Sequence, residues 1–143
     1  MPLFQNVVLK KHIQSLNNEQ TQQAYQKLTS YFHHPDIQAN IRAAKEEQFQ
    51  EGFLRELFVK ILGYTINPEQ NYTLTTEFKN QKGAKKADGA IVDSQKIVKA
   101  VIELKSTKTI DLDSIENQAF GYKNNQKNCR YVITSNFEKI RFY

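Results

Sequence analysis

The hydrophobic residues of this chain follow a helical period in one long central segment. From Lys45 to Leu62, apolar side chains recur every three or four residues and form one broad stripe. Gly63 stands directly after the stripe, where a residue free to adopt a left-handed conformation commonly ends a helix. The pattern therefore predicts a strongly amphipathic helix over residues 45–62.

Residues 1–45 show the same period in a weaker form. This segment is rich in glutamine and asparagine, and its apolar positions are thinly spaced at helical intervals. We expect two modest helices that are broken near Pro35, with Asp36 as a cap. The segment is therefore predicted to be a short helical extension.

The rest of the chain alternates between strand and helix patterns. Runs rich in β-branched, aromatic and aliphatic residues predict strands at residues 71–78, 87–92, 97–104, 130–134 and 139–143. Polar residues at 79–86 and 93–95 predict turns, and residues 111–124 return to helical spacing, with Asp111 or Asp113 in position to cap the helix. The order helix, three strands, helix, strand, strand predicts an α/β domain with a mixed sheet.

Composition narrows the class of protein without deciding its function. With 143 residues, 39% hydrophobic and 24% charged, the chain has the composition of one ordinary globular domain. Its single cysteine, Cys129, excludes an internal disulfide and a cysteine-based metal site, and suits a reducing cytoplasm. No apolar run approaches the roughly 20 residues needed to cross a bilayer, and no signal peptide is expected. The net charge of +5 is moderate and compatible with binding phosphate.

Two charged residues interrupt the most apolar of the predicted strands. Glu103 and Lys105 lie two positions apart, so both side chains point to the same face of a strand. A charge in a central strand is costly unless it is paired or binds a metal ion. The pair therefore indicates either a functional site or a structural ion pair, and these two residues alone leave both interpretations open.

Asp88 adds a second carboxylate. A tight turn at residues 93–95 would lay its strand antiparallel to the next one, and a bulge would bring Asp88 close to Glu103. Together with the backbone carbonyl of Leu104, the carboxylates would form an oxygen-rich site that suits Mg²⁺. Lys105 beside such a site could orient an attacking water and stabilise charge on a phosphate. Taken alone, Asp88 could equally be a turn residue next to Gly89.

The spacing of these residues resembles the signature of the PD-(D/E)xK nucleases. Asp88 is followed fifteen residues later by Glu103, and the tripeptide Glu103-Leu104-Lys105 matches the E-x-K element, while Ala87 stands where a proline is often found. The resemblance implies a restriction-endonuclease-like core that hydrolyses DNA with Mg²⁺, for which Mn²⁺ is expected to substitute. It implies that Asp88 and Glu103 hold the metal and that Lys105 positions the water.

A second element of the same superfamily follows the predicted catalytic strand. Gln118 and Tyr122 match the Q-x-x-x-Y pattern that many of these nucleases carry on the next helix. The two residues are four positions apart and therefore share one face of a helix. We expect Gln118 to point to the cluster of Asp88, Glu103 and Lys105 and to brace the site.

More narrowly, residues 46–143 resemble the N-terminal endonuclease portion of single-chain (type IIG) restriction–modification enzymes. The resemblance is seen in five sequence segments: LFVKILGY, KKADGAIV, AVIELKST, NQAFGYKNN and YVITSNFEKIRFY. It implies a nuclease domain over 46–143, preceded by the segment 1–45. Family members continue into a methyltransferase, whose elements this sequence does not show, so the chain resembles an excised nuclease fragment or a standalone relative. A specificity region would then lie elsewhere in a longer parent chain.

The family also uses an acid on the first helix, where four glutamates compete: Glu46, Glu47, Glu51 and Glu56. At about 100° per residue, Glu47 lies roughly 50° from the centre of the apolar stripe and Glu51 roughly 90°. Glu46 is as close to the centre of the apolar stripe as Glu47, but it lies on the opposite side of that centre from Glu51. Counting back from the Leu-Gly-Tyr segment favours Glu47, so we choose Glu47 and keep Glu51 in reserve. An acidic first turn favoured by the helix dipole remains the alternative interpretation.

The predicted function is a cytoplasmic, Mg²⁺-dependent endodeoxyribonuclease acting on double-stranded DNA. Contacts with the DNA are expected from Lys82, Lys85, Lys86 and Tyr122. A double-strand cut implies two copies of the site, so a homodimer is one expected assembly. The first alternative is a DNA-binding module of the same fold without cleavage activity. The second is an unrelated interaction domain in which Glu103 and Lys105 are only an ion pair.

Overall fold

The computed structural model describes residues 4–79 and 85–143, and within them the chain begins with three helices rather than two. They are α1 (Asn6–Ser15), α2 (Asn18–Phe32) and α3 (Pro35–Ala43). The additional break has a local cause, because the side chain of Asn17 accepts the backbone N–H groups of Glu19 and Gln20 at 3.0 and 3.2 Å. Asn17 therefore starts a new helix within the segment that the sequence pattern treated as continuous.

The third helix joins the N-terminal segment to the hydrophobic core. His34 stands at its N-cap position without a side-chain capping hydrogen bond, whereas Asp36, the expected cap, lies inside the first turn because Pro35 already occupies a helical position. Ile41 is buried in the same core cluster as Phe53, and Arg42 forms an ion pair with Glu138 at 2.6 Å. This helix is thus part of the packed core.

The long amphipathic helix is present, but its second half is wider than an α-helix. Helix α4 spans Glu46–Phe53 and continues directly into a π-helical segment, Leu54–Ile61. There the backbone N–H of Leu62 bonds to the carbonyl of Leu57, five residues earlier, at 2.9 Å. Gly63 follows with a φ of 80°, which confirms the predicted glycine end of the helix.

The described strands form one mixed sheet of five, in the order β1-β2-β3-β4-β5. They are β1 (Leu74–Lys79), β2 (Lys86–Val92), β3 (Val98–Leu104), β4 (Tyr131–Ser135) and β5 (Ile140–Phe142). β3 and β4 are parallel, and the other neighbours are antiparallel. β1 starts later than predicted, at Leu74, because Asn71, with its φ of 60°, belongs to the turn before the strand. The predicted α/β class with a mixed sheet is confirmed.

The parallel pair is joined by a crossover on one face of the sheet. A short 3₁₀ turn, Leu112–Ile115, leads into helix α5, Glu116–Asn124. Of the two expected caps, Asp111 is the one used, since its side chain accepts the N–H of Asp113 at 2.9 Å. The crossover brings α5 over β3 and β4, because parallel neighbours need a connection of this kind.

The hairpin between β2 and β3 contains the bulge that the sequence required. Gly89 pairs with Ile102 and Ile91 with Ala100, and the register then shifts by one residue between Ile91 and Val92. One step beyond the Gly89 pair, Asp88 is therefore level with Glu103 on the neighbouring strand. The bulge sets which two carboxylates face each other at this end of the sheet.

Hydrophobic clusters cover both faces of the sheet. On one face, Phe53 and Leu54 of the long helix pack with Ile102 of β3. On the other face, Val101 packs with Ala119 of α5. Glu103 has the same strand parity as Val101 and lies on the α5 side. Within residues 4–79 and 85–143, no helix is both long enough and apolar enough to cross a membrane.

Candidate functional site

Four charged side chains meet at the end of the sheet. Glu103 lies in β3 and Lys105 directly follows that strand, so their side chains share a face. The Nζ atom of Lys105 lies 2.6 Å from Oε1 of Glu103 and 3.7 Å from Oε1 of Glu46, a residue of the first turn of α4. Asp88, near the start of β2, completes the group. We call Glu46, Asp88, Glu103 and Lys105 the acidic cluster.

Asp88 is held through both of its carboxylate oxygens. Oδ2 accepts the backbone N–H of Leu104 at 2.7 Å, and Oδ1 accepts an N–H of the Gln50 side chain at 3.1 Å. The side chain thus connects β2 both to β3 and to α4. Leu104 is engaged through its N–H group, and the part expected of its carbonyl oxygen as a metal ligand stays a prediction.

Gln118 reaches the acidic cluster from α5. Its Nε2 atom donates to Oε1 of Glu103 at 2.7 Å and to the hydroxyl of Tyr122 at 3.0 Å. Ala119 and Tyr122 are buried against the sheet, which turns the adjacent Gln118 toward Glu103. The contact predicted from the helical spacing is present, while the catalytic role of Gln118 stays a prediction. The expected DNA contact of Tyr122 is not favoured, because its side chain is buried and braces Gln118.

The first-helix acid in the cluster is Glu46 and not the chosen Glu47. Glu46 approaches Lys105, and its Oε2 atom accepts the backbone N–H of Ser106 at 3.2 Å. Glu47 is exposed and makes no side-chain hydrogen bond or ion pair within the described part of the chain. The reserve residue, Glu51, pairs with Arg55 at 2.9 Å on the outer side of the helix.

Gln50 belongs to this site although sequence reasoning missed it. Its Nε2 atom donates to Oε1 of Glu46 at 3.3 Å and to Oδ1 of Asp88 at 3.1 Å. The only signal in the sequence is the spacing, since Glu46 and Gln50 are four residues apart on a helix and share a face. That spacing does not distinguish this pair from the other amide and acid pairs of the chain.

Two of the three lysines expected to contact DNA lie close to the cluster along the chain. Lys85 and Lys86 are exposed at the start of β2, immediately before Ala87 and Asp88. Lys86 forms an ion pair with Glu77 at 3.2 Å on the outer surface. Lys82 and most of the predicted turn over residues 79–86 lie outside the described residues. Contact between these lysines and DNA stays a prediction.

Burial and crowding change the proton equilibria of the cluster. Glu103 is only 2% exposed, and burial raises its pKa to about 7, with Lys105 acting in the opposite direction. Burial also raises the pKa of Asp88. For Lys105, burial alone would lower the pKa, but the hydrogen bond and charge of Glu103 outweigh it and raise the pKa above its usual range. Near neutral pH, Lys105 is therefore an ammonium group.

The donor set fits a hard divalent cation in charge and in chemistry. Three carboxylates share the one ammonium group of Lys105, so negative charge is in excess when all are ionised. Oε2 of Glu103 is buried without a hydrogen-bond partner among residues 4–79 and 85–143, an arrangement that costs about 1–3 kcal/mol. Carboxylate oxygens are the ligands that Mg²⁺ prefers. As the side chains lie, however, no three Asp, Glu, His or Cys side chains in the described ranges are grouped around one ion position.

The cluster combines carboxylates that can bind a cation with an ammonium group that can bind an anion. This combination suits the hydrolysis of a phosphate ester, and it is also compatible with an ion-pair network that joins α4 to the sheet. No protein-family model, no curated protein and no solved structure matches the chain.

Proposed function

We propose that this chain is a Mg²⁺-dependent endodeoxyribonuclease domain of the PD-(D/E)xK type, which hydrolyses phosphodiester bonds in double-stranded DNA. The observation that carries the proposal is the acidic cluster. Asp88 and Glu103 stand level on neighbouring strands, and Lys105 lies 2.6 Å from Glu103. An accidental D…E-x-K spacing would not require a helical glutamate and a glutamine from α5 to converge on the same residues.

The order of the elements supports the same proposal. After α4, three antiparallel strands are followed by α5 and then by β4, which is parallel to β3. This is the order of helix, three strands, helix and strand in the restriction-endonuclease-like core that the resemblance implies. We therefore propose that residues 46–143 form such a core and that α1 to α3 are an addition to it.

In the proposed site, Asp88 and Glu103 hold the cation together with the carbonyl oxygen of Leu104. Glu46 assists directly or through water, in the role that the resemblance implies for an acid on the first helix. The bound ion supplies Lewis-acid stabilisation of the negative charge that develops on the phosphate. Mn²⁺ is expected to substitute for Mg²⁺.

The remaining residues hold and orient the reacting groups. Because Lys105 is an ammonium group near neutral pH, it donates hydrogen bonds to the attacking water or to a phosphate oxygen and does not accept a proton. Glu46 and Glu103 fix the position of this ammonium group from two sides. Gln118 fixes Glu103 in turn, through the 2.7 Å hydrogen bond to its Oε1 atom.

The proposed substrate is supported by charge close to the site. Lys85 and Lys86 are exposed just before Asp88 in the sequence, where cationic side chains can bind the DNA backbone. A double-strand cut would use two copies of the domain, so we propose that a homodimer or paired domains act together. Base recognition would belong to a specificity region of a longer parent protein with a methyltransferase.

One observation favours a second function, a DNA-binding module of the same fold without cleavage. Lys105 and Gln118 both occupy the same oxygen of Glu103, at 2.6 and 2.7 Å. A site locked in this arrangement would keep its positive surface and have no bound metal. The two functions differ only in whether a divalent cation can displace the contacts of the cluster.

A single pair of assays separates these functions. Labelled duplex DNA is first incubated with the chain in Ca²⁺, which fills Mg²⁺ sites without supporting hydrolysis in many nucleases, and binding is measured by fluorescence anisotropy. Mg²⁺ is then substituted and the products are resolved on a denaturing gel. Cleavage that EDTA abolishes supports the nuclease. Binding without cleavage supports the binding module, and neither binding nor cleavage contradicts both.

A further inference from the structure

We propose that Gln50 is the positioning residue that holds the carboxylates of Glu46 and Asp88 together and thereby sets the affinity of the site for a divalent cation. The inference rests on the proposed function, because it assumes that the acidic cluster binds a cation. It goes beyond that function by assigning a role to a neutral residue of α4 that belongs to none of the motifs of the sequence.

The two carboxylates are held in matching ways. One oxygen of Asp88 accepts the backbone N–H of Leu104 at 2.7 Å. One oxygen of Glu46 accepts the backbone N–H of Ser106 at 3.2 Å. The other oxygen of each accepts from the same atom, Nε2 of Gln50, at 3.1 and 3.3 Å. An amide nitrogen has two N–H donors, so one side chain can serve both carboxylates at once.

The position of Gln50 also ties separate elements of the fold together. Gln50 and Glu46 lie one turn apart on α4, whereas Asp88 lies on β2 and its second contact is on β3. Gln50 is half-buried, so water competes for its donors less than it would on the surface. The side chain therefore fixes the distance between the helical acid and the strand acid.

The neutrality of Gln50 matters as much as its donors. Glu46 and Asp88 repel each other, and a lysine at this position would offset that repulsion by adding a positive charge. Such a charge would compete with a cation for the same oxygens. The Gln50 amide holds the carboxylates by hydrogen bonds and leaves their negative charge available. Residues that orient metal ligands in this way change metal affinity by roughly 10- to 100-fold when they are replaced.

The test is a calorimetric titration of the chain with Mn²⁺, without DNA. Gln50→Met keeps the length and helical preference of the side chain and removes both donors. We expect the Kd for Mn²⁺ to rise about tenfold or more. The matched control is Gln22→Met on the exposed surface of α2, which should leave the Kd unchanged. If Gln50→Met does not fold, Gln50→Asn replaces it, because its shorter amide cannot reach both carboxylates.

The outcomes separate this inference from the function on which it rests. If the unaltered chain binds Mn²⁺ and a folded Gln50 variant binds it equally well, the role of Gln50 is wrong and the proposed function stands. If the unaltered chain binds no Mn²⁺ at millimolar concentration, the metal site itself is wrong and the role of Gln50 is overturned with it. A weakened Kd in the Gln50 variant alone supports the inference.

Discussion

Asp88 and Glu103 stand level on two neighbouring antiparallel strands because a single-residue bulge lies between them and the turn. The paired residues next to them, Gly89 and Ile102, fix this register. Without the bulge after Ile91, the partner of Asp88 would be shifted by one residue, and the side chain of that partner would point to the opposite face. The arrangement of the acidic cluster thus depends on a backbone irregularity about three residues away.

The first prediction concerns the charge of Asp88. Asp88→Asn should remove detectable Mn²⁺ binding, because it takes a carboxylate from the proposed donor set. Without metal, the free energy of unfolding should stay within about 1 kcal/mol of the original, because removing a charge that burial disfavours offsets the one hydrogen bond that the asparagine NH2 group cannot accept. Calorimetric titration and urea unfolding in EDTA measure the two effects. An unchanged binding isotherm would exclude Asp88 as a ligand.

Much of this site follows from short-range rules. Two positions in a strand share a face, and a tight turn makes neighbouring strands antiparallel, so Asp88, Glu103 and Lys105 could be brought together from the sequence. These contacts depend on residues within one hairpin. The spacing of Gln118 and Tyr122 predicted only that they share a face of one helix, and the approach of Gln118 from α5 to Glu103 on β3 was expected from the resemblance to the Q-x-x-x-Y element.

The first-helix acid could not be predicted in this way. The angular criterion left Glu46 and Glu47 equally close to the centre of the apolar stripe, and Glu47 was favoured only by counting back from the Leu-Gly-Tyr segment. Neither criterion includes the tertiary contacts that select Glu46, which are its approach to Lys105 and the hydrogen bond from the backbone N–H of Ser106. Gln50 was missed for the same kind of reason, because its two partners belong to elements that only the tertiary fold brings together.

The second prediction is a fall in stability between pH 4.5 and about pH 7 in metal-free protein. The folded chain holds a proton on Glu103 up to a pKa of about 7, whereas the ordinary value is 4.5. The stabilisation is complete below pH 4.5 and is lost as the pH rises to 7, by on the order of 1–3 kcal/mol. The raised pKa of Asp88 acts in the same direction, and Lys105 stays protonated in both states.

Urea unfolding in EDTA at several pH values measures this slope. Glu103→Gln is the matched variant, because it keeps the size of the side chain and removes the titrating group. We expect the slope to flatten in Glu103→Gln. A rise in the stability of the unaltered chain over the same pH interval would show that Glu103 is not held in a protonated, buried environment.

The third prediction concerns the bracing of Glu103 by α5. Gln118→Met removes the donor to Oε1 of Glu103 and should lower the rate of DNA cleavage about 10- to 100-fold, the effect of one hydrogen bond to a charged group. Asn117→Leu on the same helix is the control, because Asn117 is exposed. Single-turnover cleavage in saturating Mg²⁺ measures both variants. Equal cleavage rates for Gln118→Met and Asn117→Leu would show that Gln118 has no part in the proposed site.

The fourth prediction concerns the lysines at the start of β2. The double variant Lys85→Gln/Lys86→Gln should weaken DNA binding. It should also lower the slope of log Kd against log salt concentration by about one to two, the contribution of one or two phosphate contacts. The control is Lys10→Gln/Lys11→Gln, an equally exposed pair on α1. Anisotropy titrations in Ca²⁺ over a range of salt provide the slopes. If both double variants have the same slope, the β2 lysines have no special part in binding.

The fifth prediction tests the central claim, that the acidic cluster is a catalytic site. Supercoiled plasmid is incubated with the chain in Mg²⁺ or EDTA, and open-circular and linear products are measured over time. Lys105→Ala should bind Mn²⁺ and lose about 100-fold or more of the nicking rate, because Lys105 acts on the reacting groups and not on the metal. Lys99→Ala removes a half-buried lysine of β3, the strand that ends just before Lys105, together with its ion pair to Asp93, and this variant should nick normally.

The account predicts Mg²⁺-dependent nicking by the unaltered chain that EDTA stops and that the folded Lys105→Ala variant lacks. Plasmid that stays supercoiled in Mg²⁺ while the chain binds it, or nicking by Lys105→Ala at the original rate, would contradict the account.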